Sequence, residues 1–341
     1  MENNLQGRDI EQKTFIQKYC EENNFTIGDE WLNADIQWLS NSSTTDLPLD
    51  QWFFRYIYMP KERHKFSRHS RMEFGKYADE YSAKVLLGEM SIKAAEKEII
   101  NLDASYIPST SDLTDKTRSV HYRGQIKNYI EQIIKAIRPI QQTYDEMVTQ
   151  YPIVLKLDGI NCLFIGYLDF AFLKDGKLVK WIELKTMWDN PKKEKGVFAR
   201  YKKDYFNKNT GITHKANSRI WTSQSLPLEV KETHSPQLAI YSVATEIPGD
   251  ILYVKENDHT LFEAEDGEEK LQMEFHKDTL KTVRANALAR QNLLKMSKDP
   301  TNLYNIIQPD FTHWKWRGIE PEYLEIAKNL WLGGNNDQEK K

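Results

Sequence analysis

Apolar positions change from helical spacing to strand spacing near residue 150. Before that point, apolar side chains recur every three or four residues, which predicts helices over 70–101, broken at Gly88, and from 118 to about 148, bent at Pro139. Residues 1–60 predict short helices with many aromatic side chains and a polar loop at 40–45. The N-terminal part of the chain is therefore expected to be helical.

Three strands are predicted between Tyr151 and Thr186, with hairpin signals at Asp158-Gly159 and Asp175-Gly176. Farther along, Pro236 is expected to lie at a helix start or a kink. A helix is predicted over 226–245, a strand pair over 251–254 and 260–264, and a long helix over 270–297. This order of elements predicts an α/β or α+β core inside a helical shell.

Composition limits the class of protein. A chain of 341 residues with a net charge of −3 argues at first sight against nucleic-acid binding, which usually accompanies a basic excess. Two cysteines, Cys20 and Cys162, can build neither a disulfide framework nor a four-cysteine iron–sulfur cluster. The sequence contains no signal-peptide pattern, no membrane span and no P-loop or zinc motif, so we expect a cytoplasmic protein without membrane contact.

One pair of strands carries residues suited to chemistry. Because strand side chains alternate between faces, Asp169 shares a face with Tyr167, and Glu183 shares a face with Lys185. A turn at Asp175-Gly176 would place the two carboxylates side by side, where like charges conflict unless a cation binds. Mg²⁺ or Mn²⁺ suits such oxygen ligands, and Lys185 could orient a nucleophile or neutralise developing charge. The alternative is a surface hairpin on which a glutamate and a lysine alternate by chance.

These residues resemble a known family. Asp169 followed by Glu183-Leu184-Lys185-Thr186 resembles the core of the PD-(D/E)XK nucleases, and Gln237 with Tyr241 is similar to the Q-x-x-x-Y motif of the RecB-like exonuclease branch. The resemblance covers roughly residues 67–260. It implies a restriction-endonuclease-like α/β core, a mixed central sheet flanked by helices, as in the cluster-free exonucleases of mitochondrial genome maintenance and of phages.

The resemblance also implies a role for each matching residue. Asp169, Glu183 and the backbone carbonyl of Leu184 would bind Mg²⁺ or Mn²⁺, and Lys185 would assist the attacking water. Gln237 and Tyr241, four residues apart on one helix face, would position DNA.

A metal ligand from an upstream helix is less well defined. The family carries a histidine four residues after a glycine, and Gly75 is followed at that distance by Asp79. Aspartate can bind Mg²⁺, so Asp79 is the candidate, while Glu73 or Glu80 could serve instead.

Two other stretches combine cations with aromatic side chains. Residues 192–208 carry seven basic and two acidic residues, a local net charge of +5, interleaved with aromatics that suit stacking on a single strand. The proposed DNA contacts there are Lys192, Lys193, Arg200, Lys202 and Lys203. A solvated charged loop is an equal alternative for this stretch. For Thr312–Arg317 we expect packing instead of stacking.

The sequence therefore predicts a metal-dependent DNA exonuclease acting on single strands or DNA ends in replication, repair or recombination. An endonuclease of the same fold and a catalytically silent DNA-binding scaffold subunit stay open. The expected partners are DNA and a recombination or replication protein, and the family likeness allows a phage-encoded protein acting in the host cytoplasm. The expected organisation is an N-terminal helical extension (1–66), a nuclease core (67–300) and a C-terminal extension with a frayed tail (301–341).

Overall fold

A mixed five-stranded sheet forms the centre of the protein in this computed structural model, which describes residues 2–65, 70–105, 113–194, 197–207, 212–316 and 319–333. The described α-helices are α1 (Glu2–Glu22), α2 (Asp29–Leu32), α3 (Asn41–Thr44), α4 (Leu49–Phe53), α5 (Ser70–Leu86), α6 (Ile92–Ser105), α7 (Leu113–Gln141), α8 (Ser235–Thr245), α9 (Met273–Lys295) and α10 (Pro321–Leu332). A π-helical turn, Phe54–Tyr58, continues α4.

Five strands form the central sheet, and six short ones form three two-stranded sheets outside it. In chain order they are β1 (Glu146–Leu155), β2 (Phe164–Lys174), β3 (Lys177–Thr186), β4 (Asn190–Pro191), β5 (Lys193–Glu194), β6 (Val197–Phe198), β7 (Tyr205–Asn207), β8 (Ile212–His214), β9 (Trp221–Thr222), β10 (Asp250–Lys255) and β11 (Asp258–Phe262). The central order is β1-β2-β3-β10-β11, antiparallel except for the parallel pair of β3 and β10. A parallel pair needs a crossover connection, and this one contains the short hairpins and α8.

Two large hydrophobic clusters cover the sheet. One joins α5, α6 and α7 to the sheet through buried residues such as Phe74, Ile99 and Ile130. The other joins the N-terminal helices, α8 and α9 to it, with Trp31 and Trp52 completely buried. The described residues therefore form an α/β protein with a mixed sheet between helices, as expected.

The N-terminal and C-terminal additions pack on each other. A third cluster contains Phe54 and Trp316, whose ring centroids lie 5.6 Å apart, and the Trp316 indole N–H donates to Asp50 Oδ2 at 2.9 Å. The predicted packing role of this C-terminal stretch is confirmed for Trp316. Helix α10 was not predicted, the predicted frayed tail lies at 334–341, outside the described residues, and the domain boundaries stay a prediction.

The Asp175-Gly176 turn is confirmed. Both residues have positive φ, 51° and 72°, as a tight type I′ hairpin turn between twisted strands requires. The other hairpin signal was only partly right, because β1 and β2 do pair but are joined by the longer loop 156–163. Buried Ile160 and Cys162 hold that loop against the core.

Several predicted elements differ from the structure. Short helices are present in the N-terminal stretch as predicted (α2, α3 and α4), but the long helix α1 precedes them. The predicted loop at 40–45 contains α3, which begins with a capping box between Ser40 and Ser43. Helix α7 ends at Gln141, after Pro139, because residues from Glu146 onward pair with β2. Helix α8 begins at Ser235, so Pro236 occupies its first turn.

None of the described helices is both long and apolar enough to cross a bilayer.

Candidate active site

Asp169 and Glu183 lie beside each other on β2 and β3. Phe170 pairs with Ile182, so these two residues are the next on their strands, and the Leu184 N–H donates to Asp169 Oδ2 at 2.8 Å. Glu183 is only 2% exposed. The type I′ turn and a one-residue register shift at Val179 together set this pairing, and the predicted juxtaposition of the two carboxylates is present.

A hydrogen-bond network joins Glu183 to the helix that follows. Lys185 Nζ donates to Glu183 Oε1 at 2.6 Å and to Gln237 Oε1 at 2.9 Å. Gln237 Nε2 donates to Glu183 Oε1 at 2.7 Å and to Tyr241 Oη at 3.1 Å. The two sequence motifs therefore form one connected cluster, although Lys185 and Gln237 are 52 positions apart in the sequence.

The electrostatics of this cluster are unusual for a protein interior. Burial raises the pKa of the Asp169 carboxyl well above its usual range, and the neighbouring carboxylates of Glu183 and Asp79 raise it further. Burial opposes the charged form of Lys185, but Glu183 and Asp169 outweigh it, so the pKa of Lys185 is raised. The ammonium group stays charged beside two crowded carboxylates.

Gly166 allows the Tyr241 ring to reach the sheet. A Cβ at position 166 would lie 2.3 Å from Tyr241 Cε1, a distance that no side chain tolerates. Burial raises the pKa of Tyr241, whose hydroxyl stays protonated and accepts from Gln237. The close approach of this ring thus explains the glycine three residues before Asp169.

Replacing Gly166 with alanine is expected to lower the free energy of unfolding by about 1–3 kcal/mol, because the added methyl must displace the Tyr241 ring. Urea unfolding checks this result. Gly124→Ala in α7 is the matched control, since nothing lies within 4 Å of its Cβ and alanine in a helix should stabilise by about 0.5–1 kcal/mol. Equal stability of Gly166→Ala and wild type would contradict the close approach.

Asp79 on α5 belongs to the same neighbourhood. Gln150 Nε2 donates to Asp79 Oδ2 at 3.0 Å and reaches Asp169 Oδ1 at 3.5 Å. Of the two alternative ligands, Glu80 pairs with Lys84 at 2.8 Å and Glu73 lies 3.8 Å from Lys76. The geometry therefore favours Asp79 among the three upstream candidates.

Sequence reasoning missed Gln150. Its φ of 53° is left-handed, which costs a non-glycine residue about 1–2 kcal/mol in the middle of a strand. Strained backbone of this kind occurs where the surrounding structure needs a side chain in one place. No sequence pattern reports such a φ, so only the structure shows that the Gln150 amide bridges Asp79 and Asp169.

Asp169 opens onto a cleft of about 670 Å³. Asp169, Gln237 and Tyr241 line one side, and residues of the N-terminal region line the rest, including Trp38, Tyr56, Lys61 and Arg63. The Arg63 guanidinium lies 5.0 Å from the Tyr56 ring centroid. The aromatic content of residues 1–60 was a visible signal, but nothing in the sequence linked it to the site.

The basic segment at 192–208 lies elsewhere. Its described residues do not line this cleft, nor do they line a second, smaller pocket to which Lys185 contributes. Lys195 and Lys208 fall outside the described part of the chain. Lys192 pairs with Glu194, Arg200 donates to the Asn217 carbonyl, and Lys202 and Lys203 are exposed. The backbone of Lys193 lies in β5, and its side chain is not described. DNA contact by this segment stays a prediction.

Whether a divalent cation fits the site depends on the side chains that could bind it. Among the described residues, no group of three or more His, Cys, Asp or Glu side chains is arranged to hold a metal ion. The carboxylates of Asp169 and Glu183 are nevertheless adjacent. Glu183 Oε2 is buried and has no hydrogen-bond partner among the described residues. An orphaned carboxylate oxygen beside Asp169 fits a hard cation that keeps several waters, as Mg²⁺ does. Ligation by the Leu184 carbonyl stays a prediction.

Comparisons with known proteins add little to this geometry. No protein-family model and no curated protein matches the chain. Among solved structures, the chain is similar at 16% identity to the crystal structure of SSO0001, over 57% of this chain and 76% of that one, with a TM-score of 0.26. A TM-score this low does not indicate a shared fold, so a function for this chain has to rest on its own site.

Proposed function

We propose that this chain is a metal-dependent deoxyribonuclease with a PD-(D/E)XK core of the RecB-like branch, hydrolysing phosphodiester bonds in single-stranded DNA or at DNA ends. The observation that carries the proposal is the connected cluster of Asp169, Glu183, Lys185, Gln237 and Tyr241 beside an open cleft. Burying an unpartnered carboxylate oxygen next to a second carboxylate costs stability, which a purely structural role would not justify.

Asp169 and Glu183 would hold Mg²⁺ or Mn²⁺ together with the Leu184 carbonyl, while Asp79 is linked to Asp169 through the Gln150 amide. A bound divalent cation would supply polarisation of the phosphate and a more acidic bound water. The protein itself contributes a fixed carboxylate pair, since the Leu184 amide holds one member and Gln237 holds the other.

Lys185 supplies the positive charge of the site. Its ammonium group can orient an attacking water or stabilise the negative charge that develops on the phosphate. The Gln237 amide accepts from Lys185 and donates to Glu183, so it fixes both in register. Lys61 and Arg63 on the opposite wall of the cleft add cations that suit a phosphate backbone, and Trp38 and Tyr56 offer rings for base stacking.

Linear and covalently closed circular single-stranded DNA distinguish the candidate activities. We expect Mg²⁺ or Mn²⁺ to support degradation of the linear strand, EDTA to stop it, and the circle to resist. Strands blocked at the 5′ or 3′ end then give the polarity. Cleavage of the circle would instead identify an endonuclease, and binding without hydrolysis of either substrate would identify a silent DNA-binding subunit.

A further inference from the structure

A second, smaller pocket lies against Lys185. It has a volume of about 270 Å³, and its polar lining includes Arg71, Lys185, Gln224, Lys231, His234 and Tyr253. Lys185 lines this pocket while its hydrogen-bond partner Gln237 lines the cleft, so the catalytic cluster separates the two spaces. We call this space the lysine pocket.

The lysine pocket is positively charged. Three of its lining residues are cations and none is a carboxylate. Arg71 donates to two neutral groups, the Tyr122 hydroxyl at 3.2 Å and the Asn190 side-chain carbonyl. Among the described residues, neither Arg71 nor Lys231 forms an ion pair, and the Lys231 ammonium lies 5.8 Å from the Tyr253 ring centroid. The charge on both residues is therefore available to an anion.

The other polar groups of the pocket are held in hydrogen bonds, and Gln224 Nε2 donates to the Trp188 carbonyl at 2.6 Å. The Tyr253 hydroxyl accepts from the Lys231 backbone N–H at 3.1 Å and forms a second hydrogen bond with His234 Nδ1 at 2.8 Å. In the tautomer whose Nδ1 accepts from Tyr253, the ring hydrogen of neutral His234 is on Nε2, where it is a donor. Burial, with the charges of Lys185 and Lys231, lowers the pKa of His234 to about 3, so the ring is neutral at physiological pH.

We propose that the lysine pocket binds a backbone phosphate of the substrate strand, on the side of the scissile bond away from the cleft. The proposal rests on the nuclease function above and adds the path of the strand: from the cleft, across Asp169 and Glu183, into the lysine pocket. Arg71 and Lys231, which form no ion pair among the described residues, provide the kind of positive charge that selects an oxyanion. The volume lies below the roughly 300–1,000 Å³ of whole small-molecule sites, so it suits one group of a longer ligand.

Lys231→Gln tests the proposal, because it removes one cation from the lysine pocket and leaves the hydrogen bonds of the Lys231 backbone in place. Binding is measured by fluorescence anisotropy with a linear single-stranded DNA, with Ca²⁺ replacing Mg²⁺. We expect a roughly fivefold loss of affinity and a decrease of about 0.7 in the slope of log affinity against log salt. Lys281→Gln is the matched control, since that exposed lysine on α9 lines neither the cleft nor the lysine pocket.

A neutral methylphosphonate linkage, moved stepwise along the DNA, locates the contact. Wild type and Lys281→Gln should lose affinity at one particular linkage to which Lys231→Gln is insensitive. Equal sensitivity of all three proteins at every linkage would overturn the proposal even if wild type degrades DNA in Mg²⁺. Absence of both binding and hydrolysis in wild type would overturn the nuclease function as well, so the two failures are distinguishable.

Discussion

Replacing Glu183 with glutamine is expected to reduce metal-dependent hydrolysis of single-stranded DNA by about 10³-fold or more. The substitution keeps the size of the side chain and an oxygen that can accept from Lys185 and Gln237, as Glu183 Oε1 does. It removes the negative charge that a divalent cation requires. Initial rates on a linear strand in Mg²⁺ give the comparison, and circular dichroism verifies that the variant is folded.

Glu80→Gln is the control for that experiment. Glu80 lies on α5, one residue after Asp79, and pairs with Lys84 at the surface. It was an alternative metal ligand by sequence alone, and the geometry predicts that its substitution leaves the rate within about twofold of wild type. Full activity of Glu183→Gln would show that Glu183 takes no part in the reaction. A large loss of activity in Glu80→Gln would indicate that the metal site lies nearer the exposed face of α5.

Asp169→Asn is expected to stabilise the metal-free protein while abolishing its response to metal. Because Asp169 lies beside Glu183 and near Asp79, losing its charge relieves a repulsion, and the asparagine oxygen can still accept from Leu184. We expect the unfolding temperature at pH 8 in EDTA to rise by about 1–2 °C, equivalent to about 1 kcal/mol for a chain of 341 residues. Saturating Mg²⁺, about 100 times its dissociation constant, should stabilise wild type by about 2.7 kcal/mol and leave the variant unchanged.

The sign of the pH dependence follows from the direction of the pKa shift. Burial and the neighbouring carboxylates raise the pKa of Asp169 in the folded chain, whereas the unfolded chain releases that proton near pH 4. The stability due to this group is therefore full below about pH 4 and is lost as the pH rises through the folded pKa. The advantage of Asp169→Asn should disappear near pH 4 and grow toward pH 8.

Asp175→Asn is the control for the stability experiment. It makes the same chemical change in the turn of the same hairpin, where asparagine tolerates the left-handed φ of 51°. We expect neither a gain in stability at pH 8 nor a loss of the response to Mg²⁺. A lower unfolding temperature for Asp169→Asn at pH 8, or an undiminished metal response, would contradict the carboxylate pair as the metal site.

The part of the site that could be predicted from sequence depends on local rules. The Asp175-Gly176 dipeptide specifies a tight turn that pairs β2 with β3. A register shift at Val179, which no local sequence rule predicted, then brings Asp169 opposite Glu183, because the turn alone would place Asp169 opposite Ile182. Gln237 was assigned to the site from a family likeness, and its contact with Lys185 spans a long crossover that no local rule describes.

The rest of the site depends on packing between distant segments. Arg63 and Tyr56 line the cleft because the N-terminal region packs against the sheet, and Arg71 reaches the lysine pocket because α5 packs on β3. Gln150 contributes through a left-handed φ that its residue type does not favour. None of these placements is encoded in hydrophobic periodicity, so the sequence identifies the carboxylates and the lysine but not the walls around them.

The most direct test of the central claim is hydrolysis of a linear single-stranded DNA by wild type and by Lys185→Met, purified in parallel and measured in Mg²⁺ and in EDTA. Lys185→Met removes the ammonium group and preserves most of the apolar side chain. We predict release of nucleotides by wild type in Mg²⁺, none in EDTA, recovery when Mg²⁺ is restored, and a loss of about 10²-fold or more in the variant. Hydrolysis that persists in EDTA, or that is equal in wild type and Lys185→Met, would contradict a metal-dependent nuclease at this site.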